Sequence, residues 1–323
     1  MTTVQDTTAP MTARHPQAGA PLFKRLWIYQ STRFPLFKTA TLLAVFSAAS
    51  ISVSAHLAHR PLPSWAVFAT AWLVALIIFF QMRAADEYKD LEDDSRYRPE
   101  RPIPSGLVSL RLILGMAFAG VPLAAAITAM LDVRLLLLLA LVWIWLGLMT
   151  AEFFAPAWLR RHPVIYLLTH MAIMPLIDLF ITGCEWLPHG AHPPAALALF
   201  LALSFVNGSI IELGRKIWAP ENERPGVETY SALLGPARAA RVLMAVSVLS
   251  WCFLVAVGYA VGAVWIVAAG GLVMLALFWR TLLAFARHPA PARQKKLDAM
   301  AGMWVFACYA LAGYAPFLAG AGA

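Results

Sequence analysis

Asp86, Asp90 and Asp94 stand at intervals of four within a nine-residue segment that carries six acids. On a helix such positions share one face, a turn apart. Asp93, seven residues after Asp86, joins the same stripe. Carboxylates crowded in this way repel one another unless cations neutralise them. Magnesium suits the pattern, because it takes oxygen ligands and is often shared between one or two carboxylates and substrate phosphates. The bland alternative is a solvated acidic helix end paired with Lys89, Arg96 and Arg98. A second acidic segment runs from Glu212 through Arg215 and Lys216 to Glu221, Glu223 and Glu228. The two segments, with Glu100 just after the first, hold 11 of the 17 acids in the chain. Both directly follow long apolar runs, so the chemistry to expect is divalent metal gripping a phosphorylated, apolar substrate at a membrane surface.

The elements that position these groups follow from composition. Of 323 residues, 61% are hydrophobic and 13% charged. A soluble domain carries about a quarter charged residues, so this is an integral membrane protein. The net charge of +8 needs no nucleic acid, because cytoplasmic loops of membrane proteins are rich in Lys and Arg. A span takes about 20 apolar residues. Such runs predict nine transmembrane helices, at roughly 36–57, 64–85, 107–130, 134–155, 163–183, 194–217, 239–259, 261–286 and 297–319, with prolines in the connections. With the N-terminus inside, only Arg60 and Arg134 lie outside, against 23 basic residues inside. That asymmetry sets the orientation: both acidic segments are cytoplasmic and the C-terminus is outside, in the cell inner membrane. Residues 1–22 read as a disordered cytoplasmic tail, and 23–323 as one all-α transmembrane domain. Cys184, Cys252 and Cys308 show no metal or redox spacing. Each acidic segment sits between an apolar helix and a Pro-containing loop, which hints at two related four-helix halves plus one extra helix.

Other groups are placed by the same scheme. Pro99 should end the first acidic helix. Arg98 and Arg101 in the stiff loop that follows could offer planar forks to phosphate oxygens. Glu152, His170 and Asp178 fall inside apolar runs, where ionisable groups are costly and are functional candidates. They could bind an acceptor, remove its proton, or hydrogen-bond between helices. Arg33, before the first span, could line the entrance or anchor the interface. Tyr88, Tyr97, Tyr166 and Tyr230 could steady a cation with their rings or be interfacial aromatics.

The motifs resemble those of the UbiA superfamily of intramembrane prenyltransferases. The family pattern Asn-Asp-x-x-Asp-x-x-x-Asp is similar to Asp86-Glu87-x-x-Asp90-x-x-x-Asp94, and its Arg-Pro…Pro-x-Gly loop to Arg101-Pro102-Ile103-Pro104-Ser105-Gly106. In the second segment, Gly226-Val227-Glu228-Thr229 and Leu234-Gly235 match the family's stretch, but Lys216 stands where an acid is usual. The resemblance covers about residues 25–320. It implies a helical bundle around a central cavity, with Mg2+ as cofactor. It implies transfer of a prenyl group from a polyprenyl diphosphate to an acceptor, foremost an aromatic ring, with release of diphosphate. The metal ligands would come from Asp86, Glu87, Asp90, Asp94, Glu212, Glu221 and Glu223. Asp86, Asp90, Asp94 and Glu212 would be catalytic. Arg98, Arg101, Arg215, Lys216, Glu152, His170, Asp178 and Arg33 would contact substrates.

Two other classes remain open on sequence alone. A transporter would use Glu152, His170 and Asp178 as a relay, yet most ionisable groups lie in the loops rather than at mid-membrane. A non-catalytic member that kept the fold is suggested by Lys216.

Overall fold

The computed structural model describes residues 15–224 and 226–320, and among these there are helices, turns and loops but no strand. A short α1 (Leu22–Arg33) precedes α2 (Leu36–Leu57) and α3 (Trp65–Lys89). Next come α4 (Leu91–Tyr97), α5 (Leu110–Leu131) and α6 (Leu135–Thr150). The chain continues through α7 (Pro156–Arg161), α8 (Pro163–Met171), α9 (Ile173–Trp186) and α10 (Leu197–Arg215). It closes with α11 (Tyr230–Leu234), α12 (Pro236–Ala260), α13 (Val264–Arg287) and α14 (Pro291–Leu318). Among the described residues, eight stretches are long and apolar enough to cross a membrane: α2, α3, α5, α8 with α9, α10, α12, α13 and α14. The molecule is a multi-pass, all-helical membrane protein.

Proline explains many of the boundaries. Pro156, Pro163, Pro236 and Pro291 each open a helix at its first residue, where the missing N–H costs nothing. Pro175 lies at the third residue of α9. It cannot donate back to Met171 and its ring crowds that carbonyl, so the expected fifth span is two helices broken at Ala172.

The expected span at 134–155 is shortened: α6 follows Arg134, which reaches Leu187 O, and runs towards Glu152 beside Lys89, but ends early. Helix α6 stops at Thr150 after 16 residues, about 24 Å of rise against a hydrocarbon core of about 30 Å. Glu152, Phe153 and Phe154 then take positive φ of 47, 51 and 58°. Three consecutive side-chain-bearing residues in the left-handed region cost roughly 1–2 kcal/mol each. Such strain persists only where the surroundings over-determine it. Ala155, the residue before Pro156, is held out of the helical region at φ −135° and ψ 50° and ends the turn.

The spans form a closed ring in chain order. α2 packs on α3, α3 on α5, α5 on α6, α6 on α9, α9 on α10, and α10 on α12. Then α12 packs on α13, α13 on α14, and α14 returns to α2. That last closure is tight: a Cβ on Gly313 would lie 2.6 Å from the Ala49 Cα. Small residues let membrane helices approach in this way. One apolar core gathers α10, α12, α13 and α14 with part of α2; another gathers α3, α6 and α9 with α2. The two cores meet at α2 and along α9–α10.

The N-terminal expectation falls partly outside the described residues, since 1–14 are not among them. From His15 the chain lies under the first loop: His15 N–H donates to Ser105 O at 2.9 Å and Arg25 Nε to Leu107 O at 2.6 Å.

Candidate active site

The first acidic segment keeps its expected face through a bend. Helix α3 ends at Lys89 and α4 starts at Leu91. Across the joint, Asp90 N–H still donates to Asp86 O at 2.9 Å, and Asp94 N–H to Asp90 O at 2.7 Å. Asp86, Asp90 and Asp94 therefore stay in line, but their environments differ. Asp94 is buried and accepts from Arg101, with Arg98 Nη1 3.5 Å away. Asp86 has only a long 3.4 Å contact with Arg83. Among the described residues no cation forms an ion pair with Asp90. Crowding by protein atoms, then Asp86 and Asp94, hold the Asp90 carboxyl above the usual carboxylate range, against Lys89 and Arg101.

Glu87 and Arg33 are used differently from what the resemblance implies. One residue further along a helix is a rotation of about 100°, which turns Glu87 away from Asp86 and towards α1. There it is 2% exposed and accepts from Arg33 Nε at 2.6 Å. This buried pair clamps α1 to α3 and commits the two side chains to each other.

The second acidic segment is mostly self-satisfied. Glu212, buried at the end of α10, pairs with Arg215 and, at 3.0 Å, with Lys216. Glu223 accepts from Thr229 Oγ1 and Ser231 Oγ, each at 2.8 Å. Thr229 in turn caps α11 by accepting from Ala232 N–H. Of the acids in this segment, Glu221 lines the cavity described next. Among the described residues no three Asp, Glu, His or Cys side chains converge into a metal site. Of the three aspartates in line, Asp86 and Asp90 are less committed to protein cations than Asp94, and two carboxylates suit a magnesium ion whose other ligands are water and phosphate.

The two loops after the acidic segments meet over this end of the bundle. Arg224 lies 3.7 Å from Glu100 and reaches Tyr97 O; the Arg98 guanidinium sits 5.8 Å from the Trp218 ring. Gly226 has φ +77°, and a Cβ there would fall 2.2 Å from the Tyr97 ring, so only glycine lets the loops close. Between them lies a cavity of about 370 Å³ lined by Arg98, Arg101 and Arg224 with Glu100, Glu221 and Trp218. Burial, then neighbouring Arg101, lowers the pKa of Arg98, as expected where cations gather without full compensation.

A third cluster joins the two segments at the membrane surface. Lys89 Nζ lies 3.3 Å from Glu152 Oε1, 3.3 Å from His170 Nε2 and 3.4 Å from Tyr166 OH. His170 Nδ1 faces Tyr166 O at 2.9 Å. A carbonyl only accepts, so we assign the proton to Nδ1, and Nε2 accepts from Lys89. The Tyr166 ring stacks on His170 at 3.8 Å, with Lys89 and Lys216 ammonium groups 5.5 and 5.4 Å from its centre. Phe153, set by the left-handed turn, packs edge-on against Trp145 and His170. The strain at Glu152–Phe154 thus aims a carboxylate at Lys89 and a ring at His170.

Glu152, His170, Lys216 and Glu212 are linked through Lys89 and Tyr166, while Asp178 does not join them. Its carboxylate accepts from Ser50, Ser204 and Tyr309, drawn from α2, α10 and α14, and is 3% exposed. It bonds helices together in the bundle interior. Lys89 was not anticipated, although a lone cation inside an acidic motif was a signal. Arg224 and Trp218 were also missed, because nothing local shows that their loop folds onto the first.

The sequence model of the UbiA prenyltransferase family matches residues 44–307. No curated protein matches the chain. The apo structure of a UbiA homologue from Aeropyrum pernix K1 is similar, with a TM-score of 0.63 and 20% identity over 85% of this chain and 97% of the other. A digeranylgeranylglyceryl phosphate synthase structure is similar at 0.58 and 12% identity, over 90% and 99%. At these identities the structures show a shared fold.

Proposed function

The chain belongs to the UbiA prenyltransferase family, and from that premise we propose that it transfers a prenyl group from a polyprenyl diphosphate to an acceptor, foremost an aromatic ring. The observation that carries this reading is that two under-compensated carboxylates, Asp86 and Asp90, precede on the same segment two arginines, Arg98 and Arg101, of an arginine-lined cavity. A diphosphate beneath the loops would meet Arg98, Arg101 and Arg224, whose planar forks suit phosphate oxygens. Asp86 and Asp90 would hold Mg2+, which when bound supplies positive charge to the departing diphosphate. The reaction breaks the allylic C–O bond, its electron pair leaving with diphosphate. The acceptor's electrons form the new bond to carbon and the acceptor loses a proton. Folded loops would exclude water that could otherwise capture the allylic fragment.

Lys89, Tyr166 and His170 would form the floor on which the acceptor meets the prenyl group. The Tyr166 face would steady developing positive charge, and Lys216 would contact the diphosphate from the second segment. The donor's apolar chain would run among the spans, with the site on the cytoplasmic side of the cell inner membrane, the N-terminus inside and the C-terminus outside.

The test is magnesium-dependent diphosphate release from geranyl, farnesyl and longer polyprenyl diphosphates, in nanodiscs with an acceptor panel. Release should require magnesium and an acceptor, and should disappear in Asp90→Ala. Failure of the wild-type protein to bind any donor would refute the proposal. Donor binding without release across the panel would favour a non-catalytic member.

A further inference from the structure

Away from the site, α13 carries an arginine pair without acidic partners. Arg280 and Arg287 are exposed on the outer side of α13, and neither forms an ion pair among the described residues. Acid is scarce here: residues 236–320 hold seven basic residues and one acid, Asp298. Seven residues of helix are about 10 Å, so Arg280 lies about that much deeper in the membrane than Arg287. A charged side chain facing lipid is costly unless it finds a counter-charge, and none of the described residues supplies one.

The surface around the pair has a shape. Arg280 and Arg287 share a depression of about 480 Å³ with Ala276, Trp279, Leu283 and Ala284. The two alanines leave the hollow. Trp279 forms a fixed wall, because its Nε1–H donates to Ser247 Oγ of α12 at 3.0 Å. Arg287 lies at the loop end of the hollow and Arg280 about two turns further in, with Leu283 and Ala284 between them and Ala276 and Trp279 towards the bilayer interior. Arg293 is occupied elsewhere, donating to Ala284 O and His288 O at the end of α13.

We propose that this hollow binds one anionic phospholipid, its phosphate between Arg280 and Arg287 and an acyl chain along Ala276, Trp279 and Leu283. Charge complementarity selects the occupant: two guanidinium groups suit a phosphate, and the apolar lining suits an attached chain. A zwitterionic lipid offers the same phosphate with a cancelling cation, so a headgroup with net negative charge is preferred. This site is independent of the prenyl-transfer reading, since none of its residues belongs to the loops or to the Lys89 cluster.

The experiment is native mass spectrometry of the intact protein from nanodiscs containing phosphatidylcholine and phosphatidylglycerol. The wild type should retain phosphatidylglycerol at least about tenfold over phosphatidylcholine. Arg280→Gln with Arg287→Gln should bring that ratio near one, while Arg280→Lys with Arg287→Lys keeps most of it. An unchanged ratio in the glutamine variant would overturn the proposal. Should that variant not fold, the wild-type melting temperature decides. Phosphatidylglycerol added to phosphatidylcholine nanodiscs should raise it. No rise, or an equal rise with inorganic phosphate alone, would overturn the proposal.

Discussion

The two acidic segments look alike in the sequence and are used differently in the structure. The first lies on helical backbone, which holds Asp86 and Asp90 on one face without strong cationic partners. The second starts at the end of α10 and runs on as a loop, and two of its acids are absorbed locally: Glu212 by Arg215 and Lys216, Glu223 by Thr229 and Ser231. A carboxylate already paired stabilises the fold, whereas one left in the company of like charges is available to a metal. Acid count therefore does not identify a metal site; the charge left uncompensated does. By that criterion the first segment would hold metal and the second would meet the diphosphate through bases.

The sharpest contrast lies within the first segment. Asp90→Ala should lower magnesium-dependent diphosphate release by about 100-fold or more, the scale of losing a group that stabilises developing charge. It should leave the melting temperature unchanged or slightly higher, because like-charge repulsion is relieved. Asp94→Ala should do the reverse first. Removing a buried partner of Arg98 and Arg101 should cost about 3 kcal/mol in stability, seen as a lower denaturation midpoint. If both variants lost stability equally, the distinction between paired and available carboxylates would be wrong.

A smaller effect tests the second segment. Lys216→Glu should weaken binding of a non-reactive donor analogue by about tenfold, the ~1.4 kcal/mol scale of one charge-assisted hydrogen bond. Glu212→Gln should change it by less than about threefold, since Arg215 and Lys216 remain. The opposite order would place metal on the second segment.

The smallest effect is a pH dependence. The Asp90 carboxyl is raised by crowding and by Asp86 and Asp94. A carboxyl raised on folding contributes stability that is complete below its unfolded value, about 4. That contribution is lost as pH rises through the raised value. Metal ligation needs the deprotonated form. Stabilisation by magnesium with a diphosphate should therefore grow as pH rises through that window, and Asp90→Asn should flatten the trend in a melting series.

Much of the fold was legible because the membrane imposes it. Apolar runs of about 20 residues and the prolines between them anticipated most spans closely; 36–57 coincides with α2. The shortened α6 was not legible, because the left-handed turn at Glu152–Phe154 carries no glycine to announce it. The alignment of Asp86, Asp90 and Asp94 followed from spacing alone. Which of them would be free did not, because Arg33 reaches Glu87 from a separate helix and Arg101 folds back onto Asp94. Lys89 was obscured for the same reason: Glu152, Tyr166 and His170 come to it from at least 63 residues away. Sequence spacing reports what one helix presents; which groups remain unpaired is decided by what the rest of the chain brings to it.

The assignment of metal to the first segment can be tested by magnesium titration of the protein in the presence of a non-reactive polyprenyl diphosphate analogue. The comparison is between wild type, Asp86→Ala with Asp90→Ala, and Glu221→Ala with Glu223→Ala. Magnesium should tighten analogue binding in the wild type and in the second-segment variant, and have no effect once Asp86 and Asp90 are removed. Magnesium-dependent binding that survives loss of Asp86 and Asp90 but vanishes with Glu221 and Glu223 would contradict that assignment.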